Sequence, residues 1–335
     1  MKTLIGSVIV FMLVVMLHEL GHFTVAKLVG IKVNEFSIGM GPKIFQKQKC
    51  ETKYSLRALP IGGYVAMEGE DSSSDDPRSF ENVSIPKRMA VVVAGALMNF
   101  ILAIVAFFIV SFVVGIQTNN IGVVVDNSPA YYADLKVNDK VISINGEKVS
   151  DWNDIINDIT KSDRNKDIDL KVERNNKTLN IQLKPQLKDG RLQIGIGPKY
   201  EKSFIGSIKM AFVATWDIVK SIFTVFGLIF SGKFSLNMLS GPVGVISVIG
   251  QETSKGIIYL IQILAIISAN LGVVNLLPIP ALDGGKLLFL IIEGIIGRPI
   301  NEKVENTLSV IGFALLIGLM LYVTVFGDLA RIIGR

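Results

Sequence analysis

The chain has 335 residues, half of them apolar, with a mean hydropathy of +0.49 and a formal charge of +5. That is too hydrophobic for a soluble enzyme, and so modest a charge gives no footing for nucleic-acid binding. Several apolar runs are long enough to cross a bilayer, so the sequence predicts a multi-pass membrane protein.

The first run, Leu4 to Val29, reads as a retained span and not a cleaved leader, because it is too long and lacks a small-residue cleavage site. Inside it stands Met16-Leu17-His18-Glu19-Leu20-Gly21-His22, which holds the only two histidines of the chain. Helix positions four apart lie on one face, so both imidazoles can reach one ion while Glu19 takes a proton from water beside it. This is the H-E-x-x-H spacing of zinc hydrolases. The motif also arises by chance, and a helical histidine is commonly just packed. Here His18 lies roughly 21 Å along the run at about 1.5 Å per residue, within hydrocarbon depth, where ionisable groups are costly and usually functional. A hydrolytic zinc site then needs a third protein ligand and an open position. The single Cys50 can form no internal disulfide and belongs to no Cys-x-x-Cys pattern, so it is not the expected ligand.

Lys27, Lys32, Lys43, Lys47, Lys49, Lys53 and Arg57, with Lys87 and Arg88 before the next run, place the following segment in the cytoplasm by the positive-inside bias. The amino terminus is then outside and the metal motif lies in the cytoplasmic half of the membrane. Val33 to Pro42 and Tyr54 to Val65 read as strands punctuated by Gly and Pro. They form either a purely structural hairpin or an open edge that binds extended peptide. Glu68 to Arg78, with Ser72-Ser73-Ser74, reads as a surface loop.

A second span is expected from about Met89 to Gly115, with Asn99 its one notable polar residue, read as a hydrogen bond across helices. From Gln117 to Tyr200 the pattern changes to short strands, turns and one amphipathic helix, a soluble domain of about 85 residues. Ser128-Pro129-Ala130, then Asn138 to Gly146, then Val149 to Ile155 resemble a bacterial PDZ domain, with Asp134 where many relatives have Gly. An even number of spans precedes it, so it is expected outside the membrane. Phe204 to Phe230 is apolar but carries Lys209, Trp216, Asp217 and Lys220; an interfacial helix is favoured over a further span. Gly241-Pro242-Val243-Gly244-Val245 reads as a turn.

From about Ile257 a third span runs to Asn275-Leu276-Leu277-Pro278-Ile279-Pro280-Ala281-Leu282-Asp283-Gly284-Gly285. Prolines and paired glycines open a helix at membrane depth only where the freed backbone lines a cavity. Asp283 is therefore the expected third ligand. A last span, about Leu308 to Val325, returns the carboxyl terminus outside, where Arg331 and Arg335 run mildly against the charge bias.

His18-Glu19-Leu20-Gly21-His22 in a first span, the Asn275-to-Gly285 motif in a third, and a PDZ-like insert between spans two and three together resemble the site-2 protease family of intramembrane zinc metalloproteases. The likeness covers nearly the whole chain and fits the bacterial branch with a single PDZ-like domain, the Gram-positive arrangement. The resemblance implies a membrane α-helical fold of about four transmembrane helices with a membrane-associated β element and an inserted soluble PDZ-like α/β domain. Its parts are residues 1–115 (two spans and the β region), 116–202 (PDZ-like), 203–256 (interfacial) and 257–335 (two spans with the Asp-Gly-Gly motif). It implies Zn2+ held by His18, His22 and Asp283, Glu19 as catalytic base, Gly39 and Gly41 in a membrane-reentrant β element, and Asn275 with Asn270 on the substrate backbone. Implied substrates are single-span membrane proteins already shortened by another protease, such as anti-sigma factors, and remnant signal peptides. Two other readings compete. A metal transporter needs further ligands for entry and exit, and no other His exists. A silent PDZ scaffold has no reason to keep Glu19.

Overall fold

A computed structural model describes residues 2–70, 74–188, 190–233 and 239–333. Ser72, Ser73 and Arg335, named above, lie outside them. The chain forms two compact units, residues 1–109 with 211–335, and residues 110–210.

The first unit is built on helices α1 (Lys2–Val29) and α2 (Ile85–Val114). They run antiparallel and touch backbone to backbone, since a Cβ on Gly21 would lie 2.3 Å from the Ala94 carbonyl oxygen. Close contact of this kind is how small residues join helices in lipid. Helix α7 (Ile257–Asn275) lies parallel to α1: Leu260 packs with Val10 and Val14 near one end, and Asn275 reaches His18 further along. The chain then leaves helical form through Leu276–Leu282, with Ala281 at φ +79°, and re-enters it at α8 (Asp283–Ile296). Helix α9 (Glu302–Val323) passes Pro280 at Gly312 and ends in a π-helical turn, Thr324–Leu329.

Between α1 and α2 the chain forms two long strands, β1 (Val33–Lys49) and β2 (Thr52–Met67). Each bends and pairs twice: Ser37 faces both Tyr64 and Ser55, and Ser55 also faces Gln46. Two strands thus make four rows, with residues 63–67 and 45–49 on the outside. Arg57 locks the bend. Its guanidinium donates to the Gly41 carbonyl at 2.8 Å, to Glu35 at 2.9 Å, to Ser37 Oγ at 3.0 Å and to the Tyr64 hydroxyl. Burial pushes the Glu35 carboxyl up, but hydrogen bonds from Ser55, Arg57 and Tyr64 and the nearby Lys43 outweigh it and hold its pKa at about 2. A depressed carboxylate pKa contributes stability above its unfolded value that is lost as pH falls through the folded one. Hydrogen-exchange protection of this hairpin is therefore expected to fall between pH 4.5 and about 2, and Glu35→Gln should remove that dependence. Unchanged pH dependence in the variant contradicts it.

Among the described residues five helices are long and apolar enough to cross a membrane: Thr3–Val29, Ile85–Val114, Phe204–Leu228, Ile257–Asn275 and Glu302–Leu329. Four were expected. The additional one belongs to α5 (Phe204–Phe230), a single unbroken helix despite Lys209, Asp217 and Lys220. Its residues Ala211, Ala214 and Ile218 pack with Ala106, Phe107 and Ala265. Gly241 to Val245 is no free turn either. Gly241 caps α6 (Pro242–Lys255), whose Pro242 takes the first helical position, where its missing N–H costs nothing. Asp328, 1% exposed in the π-helical turn, accepts from Gly241 N at 3.1 Å and Gly244 N at 2.7 Å. Those two N–H groups have no partner within the helix, so the carboxyl group satisfies donors that are otherwise orphaned.

The second unit holds β3 (Ile116–Val124), α3 (Pro129–Tyr132), β4 (Lys140–Ile144), β5 (Glu147–Lys148), α4 (Trp152–Lys161), β6 (Ile168–Arg174), β7 (Lys177–Leu183), β8 (Gln186–Lys188), β9 (Arg191–Gln193) and β10 (Ile196–Glu201). The main sheet runs β10-β3-β4-β6-β7 with β5 on β4. Ile121, Val141, Ile144, Leu170 and Val172 alternate inward and meet Trp152, Ile155 and Ile159 of α4, a helix opened by an Asp151 capping box. Asp134 stands at φ +57°, a left-handed position that Asp tolerates better than most residues.

Candidate metal centre

Three side chains from two distant parts of the chain converge. His18 and His22, 7% and 9% exposed, stand a turn apart on α1 with their Nε2 atoms 3.2 Å apart. Asp283, the first residue of α8, puts Oδ2 3.3 Å from His18 Nε2 and 3.4 Å from His22 Nε2. The motif around Asp283 explains its placement. A Cβ on Gly284 would fall 2.1 Å from the Leu277 carbonyl oxygen, and one on Gly285 2.4 Å from that of Ile279, so only glycines let α8 start against the broken segment.

The geometry fits a small cation. Four-coordinate zinc with nitrogen and oxygen ligands at about 2.0–2.1 Å has ligand atoms about 3.3 Å apart, the spacing found here. Asp283 Oδ2 is buried and receives no hydrogen bond, and two imidazoles with one carboxylate are a hydrolytic zinc donor set. His22 Nδ1 donates to the Val91 carbonyl oxygen at 2.8 Å, which fixes its tautomer and leaves the Nε2 lone pair facing the site.

Glu19 follows His18 on the helix and interacts electrostatically with both histidines and Asp283. Opposite it lies Gly63 of β2: a Cβ there would sit 3.6 Å from Glu19 Cγ. The outer row of the hairpin therefore meets the site at Gly63. Gly39 and Gly41 instead shape the bend, at φ +84° and +83°, with Gly39 backed against the Leu59 carbonyl. The Asn275 amide is 3.3 Å from His18 Nε2 and 3.5 Å from its Nδ1. Asn270 lies about 140° away around α7 and donates to the Ile266 carbonyl oxygen one turn back, so it is not brought to the histidines.

Two further residues close the centre. A Cβ on Gly95 would lie 2.3 Å from His22 Nε2 and 2.7 Å from His18 Cε1, so α2 presents bare backbone to the rings. Asn99, fully buried one turn further, places its side-chain amide 3.2 Å from His18 Nδ1. A cavity of about 850 Å³ reaches Asp283 and is lined by Glu70, Arg88, Lys286, Phe289 and Glu293. Lys286 pairs with Glu70 at 2.8 Å, and Arg88 binds Glu293 through both arms at 2.5 and 3.0 Å.

Residues 6–319 match peptidase family M50. The chain belongs to that family. It is 36% identical to the regulator of sigma-W protease RasP of Bacillus subtilis, over 99% of each chain. It is 34% identical to the zinc metalloprotease RasP of Geobacillus kaustophilus, over 97% of each. A Clostridium acetobutylicum protein assigned as a zinc metalloprotease is 41% identical over 95% of each chain. The site-2 protease resemblance thus holds along the chain, zinc is the cofactor, and the protein is a multi-pass membrane metalloprotease of family M50.

Proposed function

We propose that His18, His22 and Asp283 hold the zinc, that Glu19 is the general base, and that the enzyme cuts single-span membrane proteins within or near their spans. The observation that carries this reading is the mutual 3.2–3.4 Å spacing of the three ligand atoms, two of them on a helix long and apolar enough to cross a membrane. Zinc in this set supplies the Lewis acidity that activates water and polarises the scissile carbonyl. Glu19 takes the attacking water's proton and passes it to the leaving amine.

A helical substrate hides its carbonyls in hydrogen bonds, so it must unwind before attack. The outer row, residues 63–67, pairs with no further strand among the described residues and meets Glu19 at Gly63, so it holds the unwound segment as an added strand. Asn275, beside His18, donates to the substrate backbone there. Gly39 and Gly41 serve by setting the bend of the reentrant hairpin, and Asn270 acts within α7.

The substrates are proteins already shortened outside by another protease, such as anti-sigma factors, and remnant signal peptides. The relative named a regulator of sigma-W protease supports the first class. Residues 116–202 form a PDZ-like domain outside the membrane that filters substrates by size, and the metal centre faces the cytoplasmic half. Helix α5 does not complete a crossing. Helices α1 and α7 are parallel and begin on one side, and Leu239 to Gly244 is held there by Arg331 and Asp328, so a full crossing by α5 has to be undone at once.

Orientation is open to a direct test. Thr178→Cys in a Cys50→Ser background, an exposed site in β7, should react with a membrane-impermeant thiol reagent in whole cells. Native Cys50, exposed at the hairpin tip, should not. The reverse pattern inverts the topology. Co-expression with a single-span protein truncated on its outer side should give membrane-cut fragments, and none when His18 is replaced by Ala. Fragments that persist in that variant defeat the proposed site.

A further inference from the structure

Asn99 lies outside the two motifs, yet it is fully buried in the middle of an apolar helix. Its amide has two terminal atoms. One is 3.2 Å from His18 Nδ1; the other, Oδ1 as oriented, is buried without a hydrogen-bond partner. An unpartnered amide oxygen in such a place costs about 1–3 kcal/mol, and a half turn of the amide group exchanges the two atoms in the same space.

The chemistry of His18 decides between the orientations. A histidine that gives its Nε2 lone pair to a metal carries its proton on Nδ1. Nε2 of His18 is the nitrogen facing Asp283 and His22. Nδ1 is then a donor, and of the two terminal atoms of Asn99 only the oxygen can receive it. The Asn275 amide stands further from Nδ1, at 3.5 Å, and nearer to Nε2, at 3.3 Å. With the NH2 on Nδ1, the ring has to carry its proton on Nε2, pointed into the cluster of ligand atoms.

We propose that Asn99 Oδ1 accepts the Nδ1 proton of His18 and is the positioning residue that fixes this ligand's tautomer and ring angle. It does for His18 what the Val91 carbonyl does for His22. The two rings are therefore both oriented from α2, one by a side chain and one by a backbone carbonyl. Asn99 is itself anchored: Ser268 Oγ of α7 donates to its backbone carbonyl at 2.8 Å, both residues being fully buried. The helix that leads to Asp283 is thus tied to α2 at the residue that aims His18. Such partners are worth about 10–100-fold in metal affinity.

This inference rests on the reading of His18 as a zinc ligand, and the test separates the two. The full-length protein in detergent is titrated with zinc against a chromophoric chelator, and the optical spectrum of its cobalt form is recorded, for wild type, His18→Ala, Asn99→Leu and Asn99→Asp. His18→Ala should lose the site; if it binds zinc as wild type does, the ligand reading and this inference fall together. With that control met, Asn99→Leu, similar in size and unable to accept, should lose about 10–100-fold in affinity and shift the cobalt spectrum. Asn99→Asp, which accepts but cannot donate, should bind at least as tightly as wild type with an unshifted spectrum. That variant decides the matter even if Asn99→Leu fails to fold. Loss of zinc affinity in Asn99→Asp overturns the proposal, because it makes the amide a donor to His18, and so does wild-type affinity in a folded Asn99→Leu. Because the chain has only two histidines, 15N-labelled imidazole signals give a second readout. Both rings should carry their proton on Nδ1 in wild type, and an Nε2-protonated His18 also overturns it.

Discussion

Glu19→Gln is expected to leave zinc in place and slow peptide cleavage by about 10² to 10⁴, the usual worth of a positioned general base. Gln keeps the size and hydrogen-bonding reach of Glu but accepts no proton. Glu19 is not among the three side chains whose ligand atoms converge, so its charge is not needed to hold the ion. The variant should bind a single-span substrate and accumulate it uncut in the membrane. The check is zinc content beside the cleavage rate. Wild-type cleavage defeats the mechanism, and zinc lost together with activity contradicts the expectation that Glu19 is not needed to hold the ion.

The second large effect is expected from a single methyl group. Gly95→Ala places a Cβ 2.3 Å from His22 Nε2, closer than any real contact, and the neighbour on its other flank is the His18 ring. Neither ring can retreat freely: His22 is held by the Val91 carbonyl and His18 by contact with Asn99. The added carbon must push a ligand nitrogen off its position or part α1 from α2, where Gly21 already meets the Ala94 backbone. A misplacement near 1 Å costs about 10²-fold in rate. Gly95→Ala should therefore lose zinc and activity together, by about 10² or more, while Gly227→Ala, in α5 with open space around its Cβ, should not. A Gly95→Ala protein with normal zinc content and rate shows that the rings do not stand against α2 as described.

The site was readable in unequal parts. Histidines at a four-residue spacing in an apolar run mark one helical face wherever the helix packs, and a Pro-broken segment followed by Asp-Gly-Gly marks where a carboxylate can approach it. Neither needs tertiary knowledge. Gly95 was not legible in that way, because a glycine in an apolar span reads as packing. The available signal was Ala94-Gly95-Ala96 opposite Gly21, a run of small residues that lets two helices touch. Gly63 was missed for a related reason. The pair Gly39 and Gly41 drew attention as a motif, but the pairing register, with each strand used twice, leaves them at the bend and puts Gly63 beside Glu19. Asn99 was seen and read as a bond across helices, which is what it makes; that its partner is His18 depends on how α2 crosses α1. Helix α6 was hidden by Gly241-Pro242 and Gly244, turn residues locally that become a helix start once Asp328 arrives from 84 residues away. Among the described residues the long apolar helices number five and not four because three charges within α5 do not shorten it.

The central claim is that His18, His22 and Asp283 together hold one zinc. X-ray absorption at the zinc edge of the purified protein reads the ligands directly. The expected spectrum has two imidazole nitrogens and carboxylate or water oxygens at about 2.0–2.2 Å, no sulfur, and about one zinc per chain, with the carboxylate contribution and most of the metal lost in Asp283→Asn. A sulfur shell near about 2.3 Å, which only Cys50 or a methionine can provide, or an unchanged zinc shell in Asp283→Asn, contradicts it.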